Sequence, residues 1–531
     1  MGDHLIFLDQ IVQGSLRLCP GSMHSVMASS TKIPIPRVTV DEATALLAPP
    51  QPPYSVFSPV QKKLIVFTAA LASTFSPLSS NIYYPAINSI ADELKISPGM
   101  VNLTITAYMV FQGLTPAFMG DLSDTAGRRP VYVLCFGIYI VANIGLALQR
   151  DFVTLLVLRA LQSTGISATV ALSNAVAADT VTSAERGMYL GIASLGGILG
   201  PALGPTLGGL LSQSLGWRSI FWFLALVAAV FFVLLMLFFP ETCRAIVGNG
   251  SIPPPRWNRS LLDCMVGRTR GKQQLNLSPE ADNAPPKPHQ KSRIRVPNPW
   301  STLRLLFEMP TGLVLLSNGI GYAAYYAVTS TVPTQWNEIY HLNDFQLGLT
   351  YIPIGLGTIL SAFTNGWLVD WNFQRIARQV GQLPIRNGKQ DLRQFPIERA
   401  RLQIAMPSAM LAAASIALYG WVIAAERPIV EALAMLLLIG YLVTASYNVM
   451  NVLIVDLHYG KPATATAANN LVRCLLGAGA TAGVTPLLDL LGRQWCFCVV
   501  GAIYVISLPL SGLVYGFGAG WREKRDAERD G

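Results

Sequence analysis

The chain has 531 residues, of which 52% are hydrophobic and 13% charged, with a formal net charge of +9. Soluble domains carry about 25% charged residues, so this composition, with a mean hydropathy of +0.43, identifies a polytopic membrane protein. The basic residues sit in loops and tails without an aromatic-interleaved patch, which excludes nucleic acid as a partner and leaves membrane topology as their explanation.

In chain order, residues 1–62 carry no secretory signal, and the Pro-rich IPIPRV and LAPPQPPYSV predict a disordered cytosolic arm. Twelve apolar runs follow, near 63–84, 100–119, 131–148, 152–176, 187–211, 219–239, 311–332, 346–369, 402–424, 429–454, 468–488 and 496–518. Each approaches the roughly 20 residues that cross a hydrocarbon core as a helix. The polar stretch 241–300, with PPP at 253–255 and PPKP at 285–288, reads as a cytosolic linker between two six-helix halves, 63–240 and 301–520, with a tail at 521–531. The predicted fold is therefore all-α membrane, twelve transmembrane helices in two pseudo-symmetric halves. Only Lys95, Arg150, Arg218, Arg427 and Arg493 fall in loops on one side, so both termini are predicted to face the cytosol.

Several stretches carry more than topology. GDLSDTAGRRP, 120–130, joins the second and third spans; Gly120 allows close approach, Gly127 a turn, and Asp124, Arg128 and Arg129 offer charge. By spacing alone it reads equally as a topogenic loop. Its pattern Gly120-x-Leu122-x-Asp124 recurs as Gly366-x-Leu368-x-Asp370 after the eighth span, with Arg128 and Arg375 following, as parallel half-repeats require. Asp179 and Glu185, before the fifth span, are placed to exchange salt bridges with Arg128 and Arg129. On the fifth span Gly196, Gly200, Gly204 and Gly208 recur every four residues, and Pro201 and Pro205 interrupt its hydrogen bonding. That face admits a neighbouring helix closely, either as plain packing or as a gate.

Arg159 lies inside the fourth span, where an ionisable group faces a cavity or a partner unless it snorkels. Arg473, near the start of the eleventh, reads as a cavity charge or as an end residue. Asp124, Asp179, Glu185, Asp370 and Asp456 all fall near cytoplasmic ends, so no buried acid is evident for proton coupling. Polar and aromatic residues that could line a central pathway are Asn81 and Tyr84 on the first span, Tyr108 and Gln112 on the second, Asn318, Tyr322 and Tyr325 on the seventh, and Tyr447, Asn448 and Asn451 on the tenth. Each of these could instead face a neighbouring helix. Two intramembrane arginines without acids favour an anionic or neutral ligand over a cation.

GDLSDTAGRRP resembles the loop motif G-x-L-[SA]-D-x-x-G-R-[RK]-P of the major facilitator superfamily. Gly200-x-x-x-Gly204-Pro205-x-x-Gly208-Gly209 is similar to the antiporter motif of its drug:proton exporters, and LRALQSTG resembles the motif R-x-x-Q-G, with Arg159 and Gln162 kept and Ser163 in place of the glycine. SNIYYPAINSI, FFPETCR and NNLVRCLLGAG look most like the fungal twelve-span branch that includes the quinidine-resistance and dityrosine exporters. The resemblance implies a secondary transporter rather than an enzyme, a gating role for the fifth span, and proton transfer for Arg159. It leads to an expected proton-coupled antiporter of the plasma membrane, exporting a drug-like compound or secondary metabolite by alternating access. Rival readings are export of a small organic acid such as a dicarboxylate, and a nutrient sensor. The expected partners are a small-molecule substrate, protons and the bilayer; the chain is expected to be monomeric, with no metal or cofactor.

Overall fold

A computed structural model describes residues 55–181, 186–255, 258–260, 304–381, 395–458 and 462–530, with the side chains of the fifth span described from Gly200 onward except Ala202. Most of the 1–62 arm and of the 241–300 linker, Glu185 and the Gly196 contacts lie outside the described residues. The helices in order are α1 (Pro59–Asn81), α2 (Pro98–Ala126), α3 (Arg128–Leu148), α4 (Phe152–Thr180, with a turn at 167–168), α5 (Arg186–Leu215) and α6 (Arg218–Phe238). The second half follows as α7 (Met309–Tyr340), α8 (Asp344–Gln379, interrupted at 350–351), α9 (Ile397–Ala424) and α10 (Ile429–Leu457). A final run, Pro462–Asp530, is divided at the non-helical Gly492 (φ 72°, ψ 171°) into α11 (462–491) and α12 (493–530). A 3-10 turn at Tyr84–Ala86 and a short helix, Ile87–Leu94, link α1 to α2.

The helices begin where the sequence supplies caps. Ser58 closes a capping box with Gln61 ahead of α1, Ser97 caps α2, Asp151 caps α4 and Asn343 caps α8. Each supplies an oxygen to an otherwise unpaired N–H of the first turn. Among the described residues eight stretches, namely α1, α3, α4, α6, α8, α9, α10 and the α11–α12 run, are long and apolar enough to cross a membrane. α2 and α7 instead bury polar residues, among them Asn102, Thr104 and Gln112 on α2 and Asn318, Thr329 and Gln335 on α7.

The helices outrun the apolar windows, and this changes the reading of GDLSDTAGRRP. Gly120–Ala126 is the last part of α2 and Arg128 already belongs to α3, so the expected loop is helix on both sides of a single residue, Gly127 (φ 109°, ψ 157°). Past α6, residues 241–255 pack against this corner: Glu241, Thr242 and Cys243 are buried.

The two ends of the bundle differ. At the end bearing Gly127, Arg401 and the α6–α7 connection, here the basic face, the second half keeps a core of its own, including Leu305, Ile376, Phe395, Leu453 and Ala468. Toward the opposite, far face one continuous core spans both halves, from Ile90 and Phe221 to Trp336, Tyr351 and Tyr419. Among the described residues, hydrogen bonds between the halves lie in the middle and at the far face. Asn470 donates to the Gln112 carbonyl (2.9 Å), Asn102 to Thr485 (3.2 Å), Asn88 to the Pro333 carbonyl (3.0 Å) and Ser89 to Asp344 (2.6 Å). The halves are therefore closed against each other at the far face.

Gly127 combines a positive φ with a Cβ position that would collide with the Glu241 carboxylate. Gly127→Ala is expected to lower the apparent melting temperature in detergent by about 4–8 °C, the shift that roughly 2 kcal/mol produces in a domain of 150–250 residues; fluorescence-detected size exclusion after heating measures it.

Candidate functional site

Arg159 is completely buried, so it does not snorkel. Its guanidinium carbon lies 4.3 Å from the Tyr83 ring centroid and 4.6 Å from that of Tyr108. Nη1 donates to Gln162 Oε1 (2.6 Å) and to the Ser79 carbonyl (3.4 Å), and the Gln162 amide donates in turn to Asn143 Oδ1 (2.7 Å). No carboxylate touches it among the described residues, and Nε and Nη2 have no hydrogen-bond partner there. The charge is held by ring faces and carbonyl dipoles, which leaves two donors for an incoming acceptor. Ser163, where the family motif has glycine, uses its hydroxyl to bind the Tyr108 carbonyl (2.6 Å), clamping α4 to α2 beside the cage.

A second cage lies in the other half. Arg473 sits 5.0 Å from the Tyr322 centroid and 5.7 Å from that of Tyr447, hydrogen-bonds the Tyr447 hydroxyl, and donates through Nε and Nη2 to Asn470 Oδ1 at 3.1 and 2.7 Å. It is half-buried. One helical turn toward the basic face, Asn318, Asn451 and Asn469 form a closed amide triad with bonds of 3.1, 2.9 and 2.6 Å. The structure thus brings Asn318, Tyr322, Tyr447, Asn451 and Arg473 together, with Tyr326, Asn469 and Asn470 added by the packing.

Other predicted pathway residues are engaged elsewhere. Asn81 donates to the Pro77 carbonyl of its own helix (2.7 Å), while Tyr84 stacks on Tyr351 of the other half (5.8 Å, 9°). Tyr325 meets Tyr326 edge-on, Gln112 bonds Ser76 (3.4 Å) beside Asn470, and Asn448 is half-buried away from these bonds.

The α5 glycines serve two interfaces. A Cβ on Gly200 would stand 2.6 Å from Pro77 Cβ, one on Gly204 would stand 3.1 Å from Asn81 Cβ, and one on Gly208 would strike the Ile82 carbonyl, so this row packs against α1. Gly209 faces the other way, against the Asp344 carbonyl of α8, where Gly348 reciprocates with a Cβ position 2.5 Å from the Pro205 carbonyl. Sequence reasoning missed Asp344, a buried acid at the far end of the eighth span; its cue is a carboxylate on the side where few lysines and arginines fall.

At the basic face Arg128 pairs with Asp124 (2.5 Å) and Asp179 (3.0 Å). Asp179 is nearly buried and Asp124 largely exposed, so Asp179 is the stronger partner. The Arg129 guanidinium donates to the Met236 carbonyl (2.7 Å) and to Asn258 Oδ1 (3.4 Å). Both arginines are buried and neither meets lipid. The unforeseen member is Glu241 of FFPETCR, whose carboxylate accepts the N–H groups of Arg128 (2.9 Å), Arg129 (3.2 Å), Thr242 (3.0 Å) and Cys243 (2.9 Å) and the Asn258 amide (2.7 Å). An acid there satisfies the orphan donors of the α3 N-terminus.

The echo at Gly366–Asp370 builds no second latch. Those residues lie in the unbroken helix of α8, Asp370 is exposed with no ion pair among the described residues, nothing crowds Gly366, and Arg375 lies over the Trp371 ring at 5.7 Å. The second-half counterpart of Arg128–Asp179 is Arg401–Asp456, 3.1 Å, joining the start of α9 to the end of α10.

A family model described as Major Facilitator Superfamily matches residues 69–482. The MFS-type transporter phiD of Fungal sp. (strain ATCC 74256) is 44% identical over 472 residues, covering 89% of this chain and 71% of that protein. Citrate exporter 1 of Aspergillus niger is 33% identical over 515 residues, covering 93% and 96%. Among solved structures, the human organic anion transporter MFSD10 (TETRAN) aligns with a TM-score of 0.52 at 18% identity over 86% of this chain and all of that one, a likeness of fold.

Burial pushes the Cys243 thiol above its ordinary pKa, and its Sγ contacts the Asp124 carbonyl at 3.6 Å. In a variant retaining Cys243 as its single cysteine, maleimide labelling at pH 7.5 is expected to run at least about tenfold slower than on free cysteine. Its rate should keep climbing at alkaline pH after an ordinary thiol has levelled off. Glu241→Ala, which removes the knot over Cys243, should speed labelling; mass spectrometry of timed aliquots reads both.

Proposed function

Since the chain belongs to the major facilitator superfamily, we propose that it is a secondary active exporter of a small organic molecule that works by alternating access. The carrying observation is the asymmetry of the bundle. The halves are closed at the far face by glycine-backed contacts of α5 with α8, while the polar cluster around Arg473, in the second half and joined to the first by the bond of Asn470 to the Gln112 carbonyl (2.9 Å), lies below that seal. With the basic face in the cytosol, this is the state that admits cytosolic cargo. A drug-like compound or secondary metabolite is the cargo class, proton return along Arg159 and Gln162 the energy source, and a monomer in the plasma membrane the working form.

A narrower reading of the cargo is favoured by the two cages. Each guanidinium is held by tyrosines and amides without a carboxylate, so a carboxylate-bearing cargo would supply the missing counter-charge. A lipophilic cation would add like charge. The 33% identity to a protein named Citrate exporter 1 supports the same direction.

Purified protein in proteoliposomes tests this directly. Counterflow of labelled citrate, malate or itaconate is expected, with a lipophilic cation as the contrasting cargo, and dissipating the pH gradient should slow net export. Transport of the cation but of none of the acids would overturn the carboxylate reading; no dependence on the gradient would overturn proton coupling. Arg473→Gln is expected to cut carboxylate transport at least about tenfold, the scale of one lost charge-assisted hydrogen bond. Asp179→Asn should impair transport more than Asp124→Asn, because its carboxylate is the buried partner of Arg128.

A further inference from the structure

We propose that Asp344 is the positioning residue that holds the far-face gate shut, one carboxylate oxygen tying two helices of the first half to α8 of the second. Oδ2 accepts the Ser89 hydroxyl from the short helix Ile87–Leu94 (2.6 Å) and also the Ser212 hydroxyl from α5. Asp344 is buried, as is Ser212. Among the described residues no ion pair joins the two halves, so this carboxylate is the charged group that bonds across the seam. The ion pairs of the far face, Arg218–Glu93 and Arg493–Glu338, each stay within one half.

The geometry around it is that of a removable clasp. Behind the carboxylate, the Asp344 carbonyl rests on Gly209 and the Pro205 carbonyl on Gly348, so backbone meets backbone at both glycines, and the Thr206 hydroxyl adds one long, neutral bond to the Gly348 carbonyl (3.4 Å). Such a surface separates without unthreading side chains, and it supplies little directional hold of its own. Hydrogen bonds to an ionised acceptor are stronger than neutral ones and depend steeply on distance and angle. Two of them converging on one oxygen supply the direction that the glycine surface lacks. The neighbouring bond from Asn88 to the Pro333 carbonyl (3.0 Å) is neutral and single. Removing the carboxylate therefore changes the balance between the two gate positions while leaving the cages around Arg159 and Arg473 intact.

The inference rests on the alternating-access reading, and its test separates the two. Protein in nanodiscs, in a cysteine-depleted background with verified transport, is spin-labelled at Gln213→Cys and Gln346→Cys across the far face. A second preparation is labelled at Thr125→Cys and Gln374→Cys across the basic face. Pulsed electron–electron resonance reads both distances. Asp344→Ala is expected to raise the far-face-open fraction about tenfold, and the basic-face distance should shorten in the same proportion of molecules. Ser89→Ala with Ser212→Ala removes the same bonds while keeping the acid, and should reproduce the shift; this pair carries the test if Asp344→Ala does not fold. Asp344→Asn, whose amide oxygen can still accept one hydroxyl, should fall between. A far-face distribution unchanged in the serine double variant would overturn the proposal. A far face that opens without any change at the basic face would leave the clasp standing and overturn alternating access.

Discussion

Close approach of backbone to backbone along α5 is the constraint on which the far face depends. Lipid offers helices no hydrophobic reason to associate, so contact area and polar bonds must hold them. Gly200, Gly204 and Gly208 give α5 one bare row for α1, and Gly209 gives it a second for α8. The first row stays within a half; the second crosses between halves. One helix is thus fastened to its own half by one row and meets the other half through a surface smooth enough to part. The antiporter-like motif contains both functions because residues four apart share a helix face and the next residue turns away from it.

The arginine cages show how a charge is kept inside such a bundle. An unpaired guanidinium in a membrane interior is costly, and the usual remedy is a carboxylate. Here the remedy is two ring faces and a few carbonyl or amide oxygens for each arginine. A guanidinium held this way keeps its charge uncancelled at short range. Arg159 is sealed and Arg473 half open, so the two are not equivalent although both are built from tyrosine. That difference follows from their helices: α4 is enclosed by its own half at this depth, whereas α11 lies against α2 along the seam.

At the basic face the internal repeat is carried by contacts more than by motif. Arg128–Asp179 and Arg401–Asp456 join the third helix of each half to the fourth, and the matching letters at Gly366–Asp370 take no part. In the first half the chain breaks at Gly127 and turns Arg128 back toward Asp124. In the second, α8 continues to Gln379, so Asp370 is carried past any such turn. Glu241 then adds an acid beneath the N-terminus of α3, where its carboxylate accepts the Arg128 and Arg129 N–H groups.

The spans, their grouping into halves and the interior placement of Arg159 were legible in the sequence, whereas Arg473 read equally as a cavity charge or as an end residue. Each legible feature is a property of a continuous window: twenty apolar residues, a proline-rich polar gap, a charge far from a span end. The glycine periodicity on α5 was equally local. What tertiary structure alone decided is which distant residues meet. Asp344 gains Ser89 and Ser212 from 255 and 132 residues away, Glu241 reaches Arg128 across 113, and Asn318 finds Asn451 and Asn469. None of these pairings follows from spacing, since a hydroxyl or an amide reads identically whether it bonds its own helix, as Asn81 does, or a helix of the other half. Partner choice is set by the rotation of each helix about its axis, and that angle is fixed only when all the helices pack together.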